Sequence, residues 1–214
     1  MERLFPNLYR VSTPNKKETS HTYLLQRQAG NLLVCHNGGP SAEDLDEIER
    51  LGGIDSQWVC HQHDVNRNGV HEDLYARFGC KLHHHRREKG VRKKTQCPVV
   101  PFGDEGLKQE PDFEALYYPS CMDGHSLFRW RHRDQYFLFT SHAFYLRENT
   151  WHISVPMPSY RRDLLRPQFA QIAKLQVDYV LPGYTAPQED TFYRLNEQTK
   201  QSFSEALRGK AQAI

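Results

Sequence analysis

The chain has no Cys-x-x-Cys pair, and its five cysteines (Cys35, Cys60, Cys80, Cys97 and Cys121) are odd in number and widely spaced. That pattern excludes a zinc ribbon and a fully paired disulfide framework, and it fits a reducing, cytoplasmic setting. No apolar run approaches the roughly 20 residues that a membrane-spanning helix needs. The opening residues, Met1 to Asn7, lack the apolar centre of a secretory signal. An excess of one charge is missing too: 28 Lys and Arg oppose 26 Asp and Glu, for a formal net charge of +2. Whole-chain charge therefore does not point to nucleic acid or to a membrane surface. Hydrophobic residues make up only 38% of the chain. Even so, 214 residues suffice for a single domain, residues 1–214, whose core buries roughly 70% of the unfolded surface. No internal repeat is visible.

Histidine is what the chain has in number, 12 in all. The densest chemistry lies in Val59-Cys60-His61-Gln62-His63-Asp64-Val65-Asn66-Arg67-Asn68-Gly69. An apolar, strand-like run leads into two histidines at i and i+2, and alternate residues of a strand share a face. His61 and His63 are thus placed to aim two imidazoles at one metal. Asp64 follows as the nearest candidate general base. In a chain this rich in histidine the same segment also reads as an ordinary loop.

The rest of the chain alternates between the two periods. Residues 8–12, 22–26, 31–35, 57–60 and 81–84 read as strands, as do 113–118, 126–131, 136–140 and 178–181. Ser41-Ala42-Glu43-Asp44 has the form of a capping box, with Asp44 in place of the usual Glu. Leu45, Ile48 and Leu51 then make one helical face, which Gly52-Gly53 ends. Residues 70–78 read as a helix stopped by Gly79, and residues 160–175 as a helix that Pro167 should kink or split. Residues 191–207 read as a C-terminal helix. Strands that meander before helices return suggest an α/β sandwich of two mixed sheets flanked by helices, not a doubly wound parallel sheet.

Five ordered segments resemble the metallo-β-lactamase superfamily, over roughly residues 8–186. They are His21-Thr22-Tyr23-Leu24-Leu25 with Leu33-Val34-Cys35-His36-Asn37-Gly38-Gly39; the His-x-His segment with Arg77-Phe78-Gly79 after it; Pro119-Ser120-Cys121-Met122-Asp123-Gly124-His125, shaped like Pro-Gly-His-Thr-Pro-Gly-Ser; Phe137-Leu138-Phe139-Thr140-Ser141-His142, like Leu-Phe-Thr-Gly-Asp; and Val180-Leu181-Pro182-Gly183-Tyr184, like Val-Leu-Pro-Gly-His. The resemblance implies an αββα sandwich. It also places His61, His63 and Cys121 at the first metal position and His142 at the position of the bridging Asp. Two imidazoles and a thiolate, with His142 or water as the fourth ligand, suit tetrahedral Zn²⁺. The second-metal positions hold Val65, Asn66 and Tyr184, none a usual zinc ligand, so at most one zinc per chain is implied. A register shifted by two would set His63-Asp64 against the family's Asp-His, but it fits Asn68-Gly69 and the helix length less well.

Two readings follow. One is a mononuclear zinc hydrolase acting on a small-molecule substrate of thioester, lactone or phosphoester class. The other is a non-catalytic, metal-free relative that keeps the fold for ligand binding or assembly. Arg86 to Lys94, with six basic residues in nine, reads as an exposed loop or a docking edge for an anionic ligand. It lacks the interleaved aromatics of a single-strand-binding surface. His83-His84-His85 reads as a strand end facing solvent or, alternatively, touching substrate or an adventitious metal. Trp151-His152, beside Pro156-Met157-Pro158, reads as a flap at the pocket mouth or a surface loop.

Overall fold

The computed structural model describes residues 1–11, 19–35, 39–65, 68–109, 111–156, 159–185 and 190–214. In chain order the first half contains β1 (Glu2–Phe5), β2 (Leu8–Val11), β3 (Thr19–Ser20), β4 (Thr22–Leu25), β5 (Leu32–Val34), α1 (Ala42–Arg50), β6 (Ser56–Trp58), α2 (Val70–Phe78), β7 (Lys81–His85) and β8 (Val99–Phe102). The second half contains β9 (Leu107–Gln109), β10 (Phe113–Tyr117), β11 (Ser126–His132), β12 (Gln135–Ser141), β13 (Phe144–Arg147), β14 (Thr150–Ile153), α3 (Ser159–Ile172), β15 (Tyr179–Pro182), β16 (Tyr184–Thr185), β17 (Tyr193–Arg194) and α4 (Glu197–Ala213).

Two mixed sheets result. The first runs β1-β2-β4-β5-β6-β7-β8, and the second β17-β15-β12-β11-β10-β9. In the first, antiparallel pairing through β4–β5 gives way to parallel pairing from β5 to β8. In the second, only β12–β15 is parallel.

Side-chain alternation explains the layering. Tyr23 and Leu25 of β4 and Phe137 and Phe139 of β12 enter one core between the sheets, with Trp58, Phe113 and Phe128. The intervening Leu24 and Leu33 instead face α1 and α2 through Ile48 and Leu74. Leu138 and Val180 likewise face α3 and α4 through Phe169, Phe203 and Leu207. A strand buried on both faces reads as a continuous apolar run, as Tyr-Leu-Leu and Phe-Leu-Phe do here. Trp58 fixes the centre, meeting Phe113 edge-on at 5.0 Å and Phe128 at 5.6 Å between ring centroids.

The predicted capping box is present: the Asp44 amide donates to Ser41 Oγ at 3.1 Å, and the Ser41 amide to Asp44 Oδ2 at 3.2 Å. Three expectations need correction. Pro167 lies inside α3 without splitting it. The C-terminal helix begins later than residue 191, because Tyr193 and Arg194 pair with β15 and Asn196 then caps α4 through the Thr199 amide. Trp151 is no flap: it is buried in β14 against Phe203, at 4.8 Å between centroids. Met157 and Pro158 of the expected flap, and Ser12 of the strand expected over residues 8–12, lie outside the described residues.

The histidine triplet also departs from its reading as a solvated strand end. β7 is an inner strand, so all three rings are buried. His83 stacks on Trp58 at 4.1 Å, and His85 on Tyr117 at 4.7 Å. Burial pushes the His83 and His85 pKa values down to about 4. The same cause acts on His71, also down to about 4, whose Nδ1 pairs with Gln57 Oε1 at 2.9 Å. These groups are neutral when folded and bind protons near pH 6.5 when unfolded. They therefore contribute full stability above about pH 6.5 and lose it as pH falls toward about 4. Denaturant unfolding across this window is expected to show stability falling with acid, and His83→Phe is expected to make the fall shallower by close to one proton.

Candidate metal centre

The site lies where the ends of β6 and β12 approach across the sandwich. β6 stops at Trp58, and the His-x-His segment is not a strand. His61 precedes a single 3-10 turn, Gln62–Asp64, and that turn brings the two imidazoles together where strand alternation had been expected to. Cys121 arrives from the loop between β10 and β11. One nitrogen from each of His61 and His63 and the Cys121 sulfur all lie within 4.8 Å of one another. Cys121 Sγ is 3.7 Å from His63 Nδ1. His142, after β12, packs its ring 4.5 Å from that of His61. The structure thus brings His61, His63 and Cys121 into one donor group and sets His142 beside it. His61 is buried, Cys121 half-buried and His63 exposed, so the group opens to solvent on the His63 side.

Asp64, placed by its sequence position as a general base, is fully buried. Its Oδ2 accepts the Cys60 amide at 3.0 Å, and its Oδ1 accepts the Ser141 hydroxyl at 3.2 Å and lies 3.2 Å from His61 Nδ1. The carboxylate therefore backs His61 and does not face the open side. Ser141 holds a left-handed backbone, φ 50°, at the position where the resemblance has Gly. The hydrogen bond to Asp64 offsets part of that strain, which is on the order of 1 kcal/mol or more.

Electrostatics tie the cluster together. Burial disfavours a charged His61, but the Asp64 carboxylate and then Cys121 outweigh it and push its pKa up to about 10. Burial likewise raises Asp64, yet His61 beside it holds the carboxyl below its ordinary value. Burial would raise the Cys121 thiol, and His142 and His61 instead bring it down to about 5.

The donor set fits zinc. His61 Nε2 is buried without a hydrogen-bond partner, which a metal–nitrogen bond would relieve. Two imidazoles and a thiolate are ordinary zinc ligands, and a buried carboxylate behind a ligating histidine is a common supporting arrangement. Among the described residues, the positions that the resemblance gives to a second metal offer no such set. Val65 is buried in an apolar cluster with Val59, Leu82, Val91 and Cys97. The Tyr184 ring lies 6.3 Å from that of His142, and Asn66 lies outside the described residues.

Two further groups lie at the site: His125, which the sequence offered only as the ligand to expect if Cys121 faced away, and Glu88, which it did not single out. His125 is buried, stacked on His61 at 4.8 Å, with Nδ1 2.7 Å from Ser120 Oγ. Glu88 is buried within the run otherwise read as exposed and basic, and it accepts the amides of Gln62 and Gly124 at 2.8 and 3.0 Å. Lys94, from the same run, donates to the carbonyls of Gln62 at 2.5 Å and Val65 at 3.3 Å. The run is therefore in part a scaffold for the site. A lone acid among six bases was the one signal available. Arg161 of α3 donates to the Cys121 carbonyl at 2.9 Å.

No protein-family model matches the chain, and no curated protein matches it. Solved structures do. The metallo-beta-lactamase SMB-1, in a complex with mercaptoacetic acid, is 15% identical with a TM-score of 0.65, over 99% of this chain and 94% of that one. A metallo-beta-lactamase from Cronobacter sakazakii is 16% identical with a TM-score of 0.61, over 99% and 94%. A metallo-beta-lactamase family protein from Thermus thermophilus is 17% identical with a TM-score of 0.63, over 99% and 81%. At such identities the likeness concerns the backbone alone: this chain has the metallo-β-lactamase fold.

Proposed function

We infer that the chain is a mononuclear zinc hydrolase, with His61, His63 and Cys121 as metal ligands and His142 or a water in the fourth position. The observation that carries this reading is the convergence of three donors within 4.8 Å, from two loops 58 residues apart. Zinc in such a site polarises a carbonyl or phosphoryl oxygen and lowers the pKa of a bound water. The chain's own part is to hold the ligands. Asp64 faces His61 Nδ1 at ion-pair distance, 3.2 Å, which leaves Nε2 for the metal, so its role is positioning and not proton abstraction. The open side next to His63 admits substrate.

With Val65 packed in an apolar cluster, the chain lacks a second metal to stabilise attacking and leaving oxygens together. That supports a thioester or lactone as the substrate class, ahead of a phosphoester, whose hydrolysis has the higher barrier and gains most from a two-metal clamp. The exposed side chains of Arg92 and Lys93 favour an anionic molecule. No helix among the described residues is long and apolar enough to cross a membrane.

A metal-free binding protein is the second reading, and one observation favours it. With His61 raised to about 10 and Cys121 lowered to about 5, a protonated imidazole stands between the Asp64 carboxylate and the Cys121 thiolate, so the cluster has a cation of its own without any metal.

Elemental analysis of tag-free protein decides between the two. One zinc per chain is expected, with His61→Ala and Cys121→Ala each reducing it to a trace. Two metals per chain would contradict the geometry at Val65, and no metal even after zinc reconstitution would leave the binding-protein reading.

Asp64→Asn is expected to weaken zinc binding by roughly 10- to 100-fold, because the amide cannot match the carboxylate behind His61. Competition with a chromophoric chelator measures this, and wild-type affinity in the variant would remove Asp64 from the positioning role.

A further inference from the structure

The two loops that supply the donors meet directly only through long side-chain contacts among the described residues, Cys121 Sγ to His63 Nδ1 and Gln62 Nε2 to Met122 Sδ, each at 3.7 Å, and the stacked rings of His61 and His125. The described backbone link is the Ser126 amide to the Cys60 carbonyl, at 2.9 Å, behind the site. The closer connection runs through Glu88, in the turn that follows β7. Its side chain is buried, and its two oxygens are divided between the loops. One accepts the amide of Gln62, the residue between the two histidines; the other accepts the amide of Gly124, three residues beyond Cys121.

The fit is close on both sides. A Cβ at Gly124 would lie 2.8 Å from both the Glu88 amide nitrogen and its Cγ, and a Cβ at Gly90 would overlap the Gln62 side chain. Lys94 completes the grip by taking the carbonyl of the same Gln62 whose amide Glu88 holds. The peptide groups on both sides of Gln62 are thus anchored by charged side chains from one short segment.

We propose that Glu88 is a second positioning residue of the metal centre, beside Asp64, setting the separation between the His61–His63 turn and the Cys121 loop through a shared pair of backbone hydrogen bonds. This rests on the metal reading above. A buried carboxylate that accepts two amides is a strong, directional tie. Its geometric consequence falls on the distance between sulfur and nitrogen donors, which zinc requires to close to about 2.3 and 2.0–2.1 Å of a common point.

Glu88→Gln keeps the shape but turns one acceptor into a donor that meets an N–H. Glu88→Ala removes both acceptors. Zinc affinity by chelator competition, and the thiolate-to-metal charge-transfer band with cobalt(II) in place of zinc, are read on the folded protein. General loss of stability leaves both unchanged. The expected result is roughly 10- to 100-fold weaker zinc binding in Glu88→Ala, a smaller loss in Glu88→Gln, and a displaced or weakened cobalt–thiolate band in both. If Glu88→Ala does not fold, Glu88→Gln decides alone. Wild-type affinity and spectrum in Glu88→Gln, with or without a lower melting temperature, would overturn the inference while the metal reading stands. An unmodified chain that takes up neither zinc nor cobalt would overturn both.

Discussion

Where the two sheets meet at the site, one buried carboxylate joins them. Asp64 joins the end of β6 in the first sheet to the end of β12 in the second, through the Cys60 amide and the Ser141 hydroxyl, and it backs His61 in the same stroke. A charge taken fully out of water costs several kcal/mol unless it is paired and hydrogen-bonded. Three partners meet that cost here. Losing any one partner leaves a buried charge short of compensation, so the carboxylate ties the two sheet ends and the imidazole to one another at the site.

Around that contact the molecule is layered by a simple rule. Strands that carry apolar side chains on both faces must be covered on both faces, by the other sheet on one side and by helices on the other. Tyr23 and Leu25 look inward while Leu24 looks out, and Phe137 and Phe139 look inward while Leu138 looks out. The αββα sandwich follows from such triplets, which is why it was legible from residues alone. Helix starts and stops were legible for the same kind of local reason, as at Ser41 and Gly79. The start of α4 was not, because Tyr193 and Arg194 are drawn into the second sheet by β15, a partner that no local pattern announces.

At the site, the identity of the converging residues could be read and their support could not. His61, His63 and Cys121 carry their chemistry in their side chains and their order in the motif. Asp64, Glu88 and Lys94 act by facing backbone groups or the back of a ring, and sequence spacing does not encode direction. The basic run from Arg86 to Lys94 shows the difference most plainly. Arg87 pairs with Asp104 at the surface, whereas Glu88 and Lys94, one and seven residues on, reach inward to the peptide groups of Gln62. The histidine triplet was misjudged for a related reason. Polarity suggested solvent, but the strand order puts β7 inside the sheet, and the rings are accommodated by stacking on Trp58 and Tyr117 in neutral form.

The altered second-metal positions form a consistent set, not a scatter of losses. Where the resemblance places a carboxylate, Val65 is part of an apolar cluster that includes Leu82 of β7 and Val91 from the segment after it. A carboxylate introduced at that point would be buried among aliphatic groups, at a cost of several kcal/mol without a partner. Lys94 already occupies the Val65 carbonyl, so the backbone there is committed as well. On the proposed metal reading, His142 stands where the resemblance has the bridging carboxylate and would add an imidazole to one centre instead of an anion between two. A zinc held by His61, His63 and Cys121 would meet the Cys121 thiolate directly and the Asp64 carboxylate through His61. The anions retained at those residues match one dication and not two, which is the charge a single-metal centre needs on the protein side.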